Sequence, residues 1–224
     1  MDELRRRAPA LCLVTDRVHT GRRDLADVVR ECVAAGLPAV QLREKDLAAA
    51  DLAALARRLR ALAPDALLIV NDRVDVALAV GADGVQRTSV SLPVEDIRAI
   101  AGSRLLIGAS VHSLADAVEA EASGADWVVF GPVYDTASKR GYGPPQGLGA
   151  LEHVAAAVRI PVIAIGGITP ERVEDVCAAG ATGVAVISAI LGAAAPADAT
   201  KRFLEALAAA GLDVATLTAR PPRQ

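Results

Sequence analysis

Several polar side chains follow short aliphatic runs, and their types suit the binding of anions. Gln41, Arg43 and Lys45 alternate along one such run. Because successive side chains of a strand point to opposite faces, these three share a face. A guanidinium and an ammonium group on a ligand-facing side predict a site for a pyrophosphate or a carboxylate. The alternative is that one of these cations pairs with an inward-facing acid such as Asp72.

A second anion site is predicted where two glycines follow another aliphatic run. Gly166 and Gly167 precede a helix start at Thr169-Pro170. Glycines there let backbone N–H groups approach a phosphate closely. Ile187 and Ser188, after the last run, add N–H groups at the start of a further helix. The alternative is that the two glycines only make a tight turn between a strand and a helix.

Other strand-end residues suggest proton transfer and metal binding. Asn71 and Asp72 offer oxygen ligands for Mg²⁺, but one carboxylate needs the substrate's phosphates to complete such a site. A hydrogen-bonding role for Asp72 is an equal alternative. His112, beside Ser110, is a candidate proton shuttle near neutral pH, although a lone histidine is often structural.

A loop rich in glycine and proline, residues 131–149, separates two of the runs. It carries Thr136, Ser138 and Lys139. Long loops at an active-site rim are typical lids, and these hydroxyl and ammonium groups would contact a substrate phosphate on closure. The alternative is a solvated surface loop.

Eight aliphatic runs alternate with eight Ala-rich amphipathic stretches, which predicts a single α/β domain, a (β/α)₈ TIM barrel, over residues 1–212 and a frayed tail over 213–224. An open doubly wound sheet is the alternative, but it usually has fewer strands and leaves edges. The predicted strands are Leu11–Asp16, Ala39–Glu44, Leu67–Asp72, Gly84–Arg87, Leu105–Ser110, Trp127–Pro132, Pro161–Gly167 and Gly183–Ser188. The predicted helices are Asp24–Ala35, Leu47–Leu62, Val74–Val80, Val94–Ile100, Leu114–Ser123, Leu148–Val158, Pro170–Ala179 and Ala197–Ala210. In such a barrel the active site lies at the C-terminal ends of the strands, where all the residues above fall.

Composition narrows the function further. The net charge is −3 and no long basic run occurs, which disfavours nucleic-acid binding. Three scattered cysteines without CxxC spacing favour reduced thiols, and no apolar run is long enough to span a membrane. We therefore expect a cytoplasmic protein with a small anionic ligand and no nucleic-acid or membrane partner. The composition is also compatible with a homo-oligomer.

The strand-end motifs together resemble those of the thiamine phosphate synthase and thiazole tautomerase (TenI) family of (β/α)₈ barrels. The resemblance extends from about Leu11 to Ile190 and keeps the family's order and spacing. It is carried by Leu13–Asp16, Gln41–Lys45, Asn71-Asp72, Ala82–Val85, Gly108–His112, Gly131–Val133 with Thr136, Ser138 and Lys139, Ile165–Ile168, and Val186–Ile190.

The resemblance implies a role in thiamine biosynthesis with a thiazole phosphate as ligand. It implies that Gly167 and Ser188 meet the thiazole's phosphate and that Asp72 is one of two magnesium-binding aspartates. In the synthase branch, four residues would face the pyrophosphate of the pyrimidine substrate: Gln41, Arg43, Lys45 and Asn71. Three residues of the loop would close over that pyrophosphate: Thr136, Ser138 and Lys139.

One departure from the synthase pattern bears on the reaction. The position matching the second magnesium aspartate is Ser91, which weakens the case for pyrophosphate displacement with Mg²⁺. It slightly favours the tautomerase, which needs no metal: His112 would shuttle the proton and Arg43 or Lys45 would hold a carboxylate. The synthase with Mg²⁺ is the alternative. A non-catalytic barrel that binds a thiamine precursor, and a barrel enzyme acting on another phosphorylated metabolite, are further alternatives.

Overall fold

Eight parallel strands close into a barrel in chain order, each hydrogen-bonded to the next and β8 to β1. The structure is a computed structural model, and it describes residues 8–136 and 144–214. The strands are β1 (Leu11–Val14), β2 (Ala39–Leu42), β3 (Leu67–Asn71), β4 (Gly84–Arg87), β5 (Leu106–Val111), β6 (Trp127–Phe130), β7 (Val162–Ile165) and β8 (Gly183–Val186). The predicted TIM barrel is confirmed.

Helices follow the strands and cover the outside of the barrel. They are α1 (Leu25–Ala34), α2 (Ala49–Leu62), α3 (Val74–Val80), α4 (Val94–Ala101), α5 (Leu114–Ala122), α6 (Gly147–Ala157), α7 (Val173–Ala178), α8 (Ser188–Leu191) and α9 (Pro196–Ala209). The helix predicted from Pro170 begins instead as a 3-10 turn, Pro170–Arg172, which has no side-chain cap. The helix start expected at Ser188 is present as the short α8, whereas the 3-10 turn at Arg17–Thr20 was not predicted, since it is too short for periodicity to reveal.

The sheet buries side chains on both faces, as a parallel barrel must. In β3, Leu68 and Val70 pack outward against the helices, whereas Leu67 and Ile69 pack inside the barrel. The inner cluster is small and joins residues of six strands, so the barrel interior is filled. Its upper positions, toward the C-terminal ends, are polar.

Five strands end two residues earlier than predicted: β1, β2, β6, β7 and β8. The residues after Val14, Leu42 and Val186 are polar or begin a turn, and the predicted strands included these first loop residues. The candidate site residues therefore lie mostly in the first residues of the loops. Five glycines that follow helices have positive φ: Gly36, Gly81, Gly102, Gly124 and Gly180.

Within the described ranges, no helix combines the length and the apolar character that a membrane crossing requires. The proposed tail falls largely outside these ranges, since the description ends at residue 214. The single-domain boundary at residue 212 stays a proposal.

Candidate active site at the C-terminal rim

Gln41 and Asn71 meet inside the barrel mouth, as the alternation pattern predicts. Both are buried, with exposed fractions of 6% and 9%. The Gln41 Nε2 donates to Asn71 Oδ1 at 3.1 Å. Two amides in this arrangement still have donor and acceptor positions left for a ligand.

Arg43 and Lys45 follow β2 and carry the only strongly cationic groups of that loop. Arg43 is half-buried and Lys45 is exposed. Among the described residues, neither side chain makes an ion pair, and the alternative pairing with Asp72 is not found. Thr15 accepts a hydrogen bond from the Arg43 backbone N–H at 2.8 Å, which fixes the loop against the end of β1. Both cations therefore remain available to an anion.

Glu44, the acid between Arg43 and Lys45, points away from both cations and forms an ion pair with Arg17. Its side chain is only 4% exposed, and its Oε2 accepts from Arg17 Nε at 3.0 Å and from the Arg17 backbone N–H at 3.3 Å. Arg17 also reaches Asp46 at 2.5 Å. This contact was not predicted, and it explains how a carboxylate can stand between two cations without neutralising either.

Asp72 and Ser91 are in contact, so the serine does occupy the place beside the candidate metal ligand. Asp72 has a left-handed backbone, with φ +65°, and its Oδ1 accepts a hydrogen bond from the Ser91 hydroxyl. Ser91 Oγ in turn accepts from the Thr88 backbone N–H at 2.9 Å. The hydrogen-bonding role expected as one alternative for Asp72 is present. Among residues 8–136 and 144–214, no group of three or more His, Cys, Asp or Glu side chains could hold a metal.

Ser110 lies on the inner face of β5 and is held by a residue that the sequence pattern did not single out. Gln86 Nε2 donates to Ser110 Oγ at 3.0 Å, and Gln86 Oε1 accepts from Trp127 Nε1 at 3.2 Å. Gln86 and Trp127 are each 1% exposed. The signal that could have revealed them is the inner-face spacing of Gly84, Gln86 and Gly108, which leaves room for one large ring.

His112 is exposed at the end of β5, on the same rim. Its Nδ1 lies 2.6 Å from the carbonyl oxygen of Gly131. A carbonyl can only accept, so Nδ1 carries a proton, and in the neutral form of the ring Nε2 is the nitrogen with the free lone pair. The histidine is thus oriented as a base toward whatever ligand reaches Nε2.

The glycine pair after β7 is packed tightly against the loop that follows β6. Gly166 and Gly167 have φ of +101° and +66°. A Cβ at Gly167 would lie 2.7 Å from the Asp135 carbonyl oxygen and 2.8 Å from Tyr134 Cβ. The carbonyls of the pair are occupied, by the Tyr134 N–H at 3.0 Å and by Arg172 at 2.6 Å. The tight-turn alternative is therefore part of the explanation for these glycines.

Backbone donors remain on this side of the rim. Among the residues that the structure describes, no backbone carbonyl accepts from the N–H of Gly167 or of Ser188. Ser188 is exposed and begins α8 directly after Ile187. These N–H groups suit an anion, as predicted.

Only one of the three residues predicted to form a lid lies within the described residues. Thr136 is half-buried and is the last residue before the undescribed segment. Ser138 and Lys139 lie outside the described residues, so their predicted contacts stay predictions.

Known proteins resemble this chain over most of its length. The sequence model of the family described as thiamine monophosphate synthase matches residues 11–190. A putative thiamine-phosphate synthase of Geobacter sulfurreducens is 46% identical over 200 residues, 88% of this chain and 94% of the relative. The thiamine-phosphate synthase of Methanoculleus marisnigri is 47% identical over 202 residues, 89% of this chain and 96% of the relative.

The comparison with solved structures agrees with the comparison of sequences. Thiamine phosphate pyrophosphorylase from Pyrococcus furiosus superposes with a TM-score of 0.83 at 38% identity, covering 92% of this chain and 98% of the other. A 3-hexulose-6-phosphate synthase, at 18% identity and a TM-score of 0.70, shares the fold alone. On its sequence and its structure, this chain belongs to the thiamine monophosphate synthase family.

Proposed function

We propose that this protein is a thiamine phosphate synthase, which couples hydroxymethylpyrimidine pyrophosphate to hydroxyethylthiazole phosphate and releases pyrophosphate. The observation that carries the proposal is that one rim holds two anion-binding groups of different construction. Arg43 and Lys45 lie after β2, and the Gly167 and Ser188 N–H groups lie after β7 and β8. The names of the relatives point the same way, and they favour this reaction over the tautomerisation that the Ser91 position favoured.

Each group has a task in this reaction. As the C–O bond to the pyrophosphate breaks, negative charge grows on the departing oxygens, and Arg43 and Lys45 stabilise it. Lys139, with Thr136 and Ser138, would add to this stabilisation from the loop. Gly167 and Ser188 hold the thiazole's phosphate, which keeps its charge throughout.

Uncharged side chains lie deeper in the mouth, where the heterocycles would bind. Gln41, Asn71 and Ser110 offer hydrogen bonds without net charge. Neutral rings are recognised there while the charged groups stay at the rim. The thiazole nitrogen can thus approach the pyrimidine's methylene carbon between two fixed anions.

Magnesium fits this site through Asp72. The donor set at this position is one carboxylate, with the Ser91 hydroxyl oxygen in contact, and Mg²⁺ is commonly held by one or two carboxylates completed by substrate phosphates. When bound, the ion would neutralise part of the pyrophosphate's charge. Asp72 would hold it, and the Ser91 hydroxyl would keep that carboxylate oriented.

The test is the formation of thiamine phosphate from both substrates with Mg²⁺, in wild type, in Arg43→Ala and in the exposed control His153→Ala. The proposal expects turnover that Arg43→Ala lowers strongly and His153→Ala leaves unchanged. Folded protein that binds both substrates but never forms product would overturn it. Binding without turnover in this assay or the next would support the non-catalytic binder instead.

The tautomerase remains a second candidate because of two specific observations. Ser91 stands where a second carboxylate would be expected, and the contact of His112 Nδ1 with the Gly131 carbonyl leaves Nε2 as the ring nitrogen open to a ligand at the rim. A proton shift on a thiazole carboxylate phosphate needs that base, an anchored phosphate and no metal. Metal-independent tautomerisation that disappears in His112→Ala, but not in His153→Ala, would establish it.

A cytoplasmic location is part of the proposal. It is supported by three free cysteines, Cys12, Cys32 and Cys177. Burial raises the pKa of the Cys12 thiol to about 12, so that thiol is protonated and unreactive at neutral pH.

A further inference from the structure

The barrel interior contains a chain of three side chains whose hydrogen-bond directions can be assigned from chemistry alone. The chain runs from Trp127 through Gln86 to Ser110. An indole N–H can only donate, so the atom of Gln86 that faces Trp127 must be its carbonyl oxygen. The amide NH₂ of Gln86 therefore faces Ser110. Since an NH₂ group can only donate, the Ser110 oxygen accepts.

With this assignment, neither Gln86 nor Trp127 accepts the hydroxyl proton of Ser110. Within the described part of the chain, the Ser110 hydroxyl has no acceptor for its own proton. Ser110 is half-buried at the upper end of the inner face, directly below the rim. Its hydroxyl proton is therefore directed to an acceptor atom of a ligand in the barrel mouth.

The surrounding packing is built to permit this contact. Gly108 lies beside both partners on the inner face, and a Cβ there would come within 2.2 Å of Gln86 Oε1 and 2.3 Å of Trp127 Nε1. Gln86 and Trp127 are each 1% exposed, so water does not compete for their hydrogen bond. The amide cannot turn over without leaving the indole N–H buried and unpaired, which is costly.

We propose that Gln86, locked by Trp127, is a positioning residue that makes Ser110 an obligatory hydrogen-bond donor to the bound substrate. This inference rests on the proposed ligand site, and it adds a specificity device to it. The device selects a heterocycle or a carboxylate that offers a lone pair at this depth, and it disfavours one that offers an N–H. Neither Gln86 nor Trp127 needs to contact the ligand.

Two near-isosteric substitutions of Gln86 separate this role from a merely structural one. In Gln86→Glu, the substituted carboxylate still accepts from Trp127, but it can only accept from Ser110, so the hydroxyl proton turns inward and is lost to the ligand. In Gln86→Met both hydrogen bonds vanish, yet Ser110 stays free to donate. A structural role predicts that Met is the worse substitution; the positioning role predicts that Glu is.

The readout is calorimetric binding of hydroxymethylpyrimidine pyrophosphate and of hydroxyethylthiazole phosphate, each alone, at about pH 9, well above the ordinary pKa of a carboxyl group. Ser110→Ala should weaken one of these ligands by about tenfold, the size of one lost hydrogen bond. Gln86→Glu should match that loss, and the double variant Gln86→Glu/Ser110→Ala should be no weaker. Gln86→Met should bind more tightly than Gln86→Glu despite a lower Tm.

Three results would overturn the proposal. These are an unchanged affinity for both ligands in Ser110→Ala, additive losses in the double variant, and weaker binding by Gln86→Met than by Gln86→Glu. Circular dichroism checks that each variant is folded. Failure of the synthase proposal is distinguishable, because wild type would then form no thiamine phosphate while this order of binding affinities persisted.

Discussion

In the proposed site, the two sides of the barrel rim would hold anions by different means. After β2 the donors are long cationic side chains, Arg43 and Lys45, which are free of ion pairs in the described structure. After β7 and β8 they are backbone N–H groups: that of Gly167, in a turn without room for a Cβ, and that of Ser188, at the start of α8. Mobile full charges suit a group whose charge changes as it leaves, and fixed dipoles suit a phosphate that stays bound unchanged.

The supports beneath the two sides differ in the same way. The β2 loop is held by polar contacts, through Thr15 and through Arg17 on the buried Glu44. The glycine turn also accepts two hydrogen bonds, but it differs in being packed closely against Pro132 and Tyr134, with the Arg172 guanidinium 4.4 Å above the Tyr134 ring. Burial raises the pKa of the Tyr134 hydroxyl, which keeps that ring neutral under the cation. One side should therefore respond to charge and the other to volume.

Removing a cation should have the largest effect and should affect one substrate only. Arg43→Ala is expected to lower kcat/KM for the pyrimidine pyrophosphate by about 100-fold or more, because charge on the leaving group loses a donor. Affinity for hydroxyethylthiazole phosphate, measured by calorimetry, should stay within about twofold. Arg57→Ala, which removes the same charge from an exposed position on α2, is the matched control. Equal losses for both substrates would contradict the division of labour.

A larger side chain in the glycine turn after β7 should instead weaken binding of the thiazole phosphate. Gly167→Ala places a methyl group against Asp135 and Tyr134 at a positive φ. It should weaken hydroxyethylthiazole phosphate by about tenfold and lower the free energy of unfolding by about 1–3 kcal/mol. Gly149→Ala is the control, because its Cβ would meet open space within α6. Calorimetry and urea unfolding measure both effects. An unchanged thiazole affinity would remove the glycine turn from the phosphate site.

Removing the Arg17 side chain, which supports the β2 loop, should have an intermediate effect on catalysis. Arg17→Ala leaves the Glu44 carboxylate buried without its cation and should raise the KM for the pyrimidine pyrophosphate about fivefold while kcat changes less. The double variant Arg17→Ala/Glu44→Gln should regain stability, because no uncompensated charge remains. Thermal unfolding and steady-state kinetics provide the readouts. A double variant less stable than Arg17→Ala would show that the charge on Glu44 is not the cause.

The smallest effect is expected at the metal position. Ser91→Asp puts a second carboxylate beside Asp72, and the mutual repulsion should lower stability by up to about 1 kcal/mol without metal. Mg²⁺ should restore the Tm of this variant more than that of wild type. Ser103→Asp, at an exposed position between α4 and β5, adds the same charge elsewhere and is the matched control. If Mg²⁺ stabilised both proteins equally, Asp72 would not be the ligand that the synthase proposal requires.

How well a contact could be predicted from the sequence depends on how far apart along the chain its residues lie. Alternation along β2 placed Gln41 on the inner face, Asn71 was singled out by its place at the end of β3, and the glycines after β7 followed from the order of strands. Arg17 was missed because its partner Glu44 lies 27 residues away and nothing local marks the pair. Gln86 was missed for a similar reason: its meaning depends on Trp127, two strands further on, and on the empty inner face at Gly108. Strand ends were overextended because the prediction included the first residues of the following loops, such as Thr15-Asp16 and Gly166-Gly167.

Trp127 is the only tryptophan of the chain, and its position makes the protein its own optical reporter. The indole is dry and lies two hydrogen bonds from a hydroxyl at the ligand site. Its emission should therefore be blue-shifted in the free protein and should change when a substrate draws on the Ser110 proton. Ligand titrations can be followed by intrinsic fluorescence without any label.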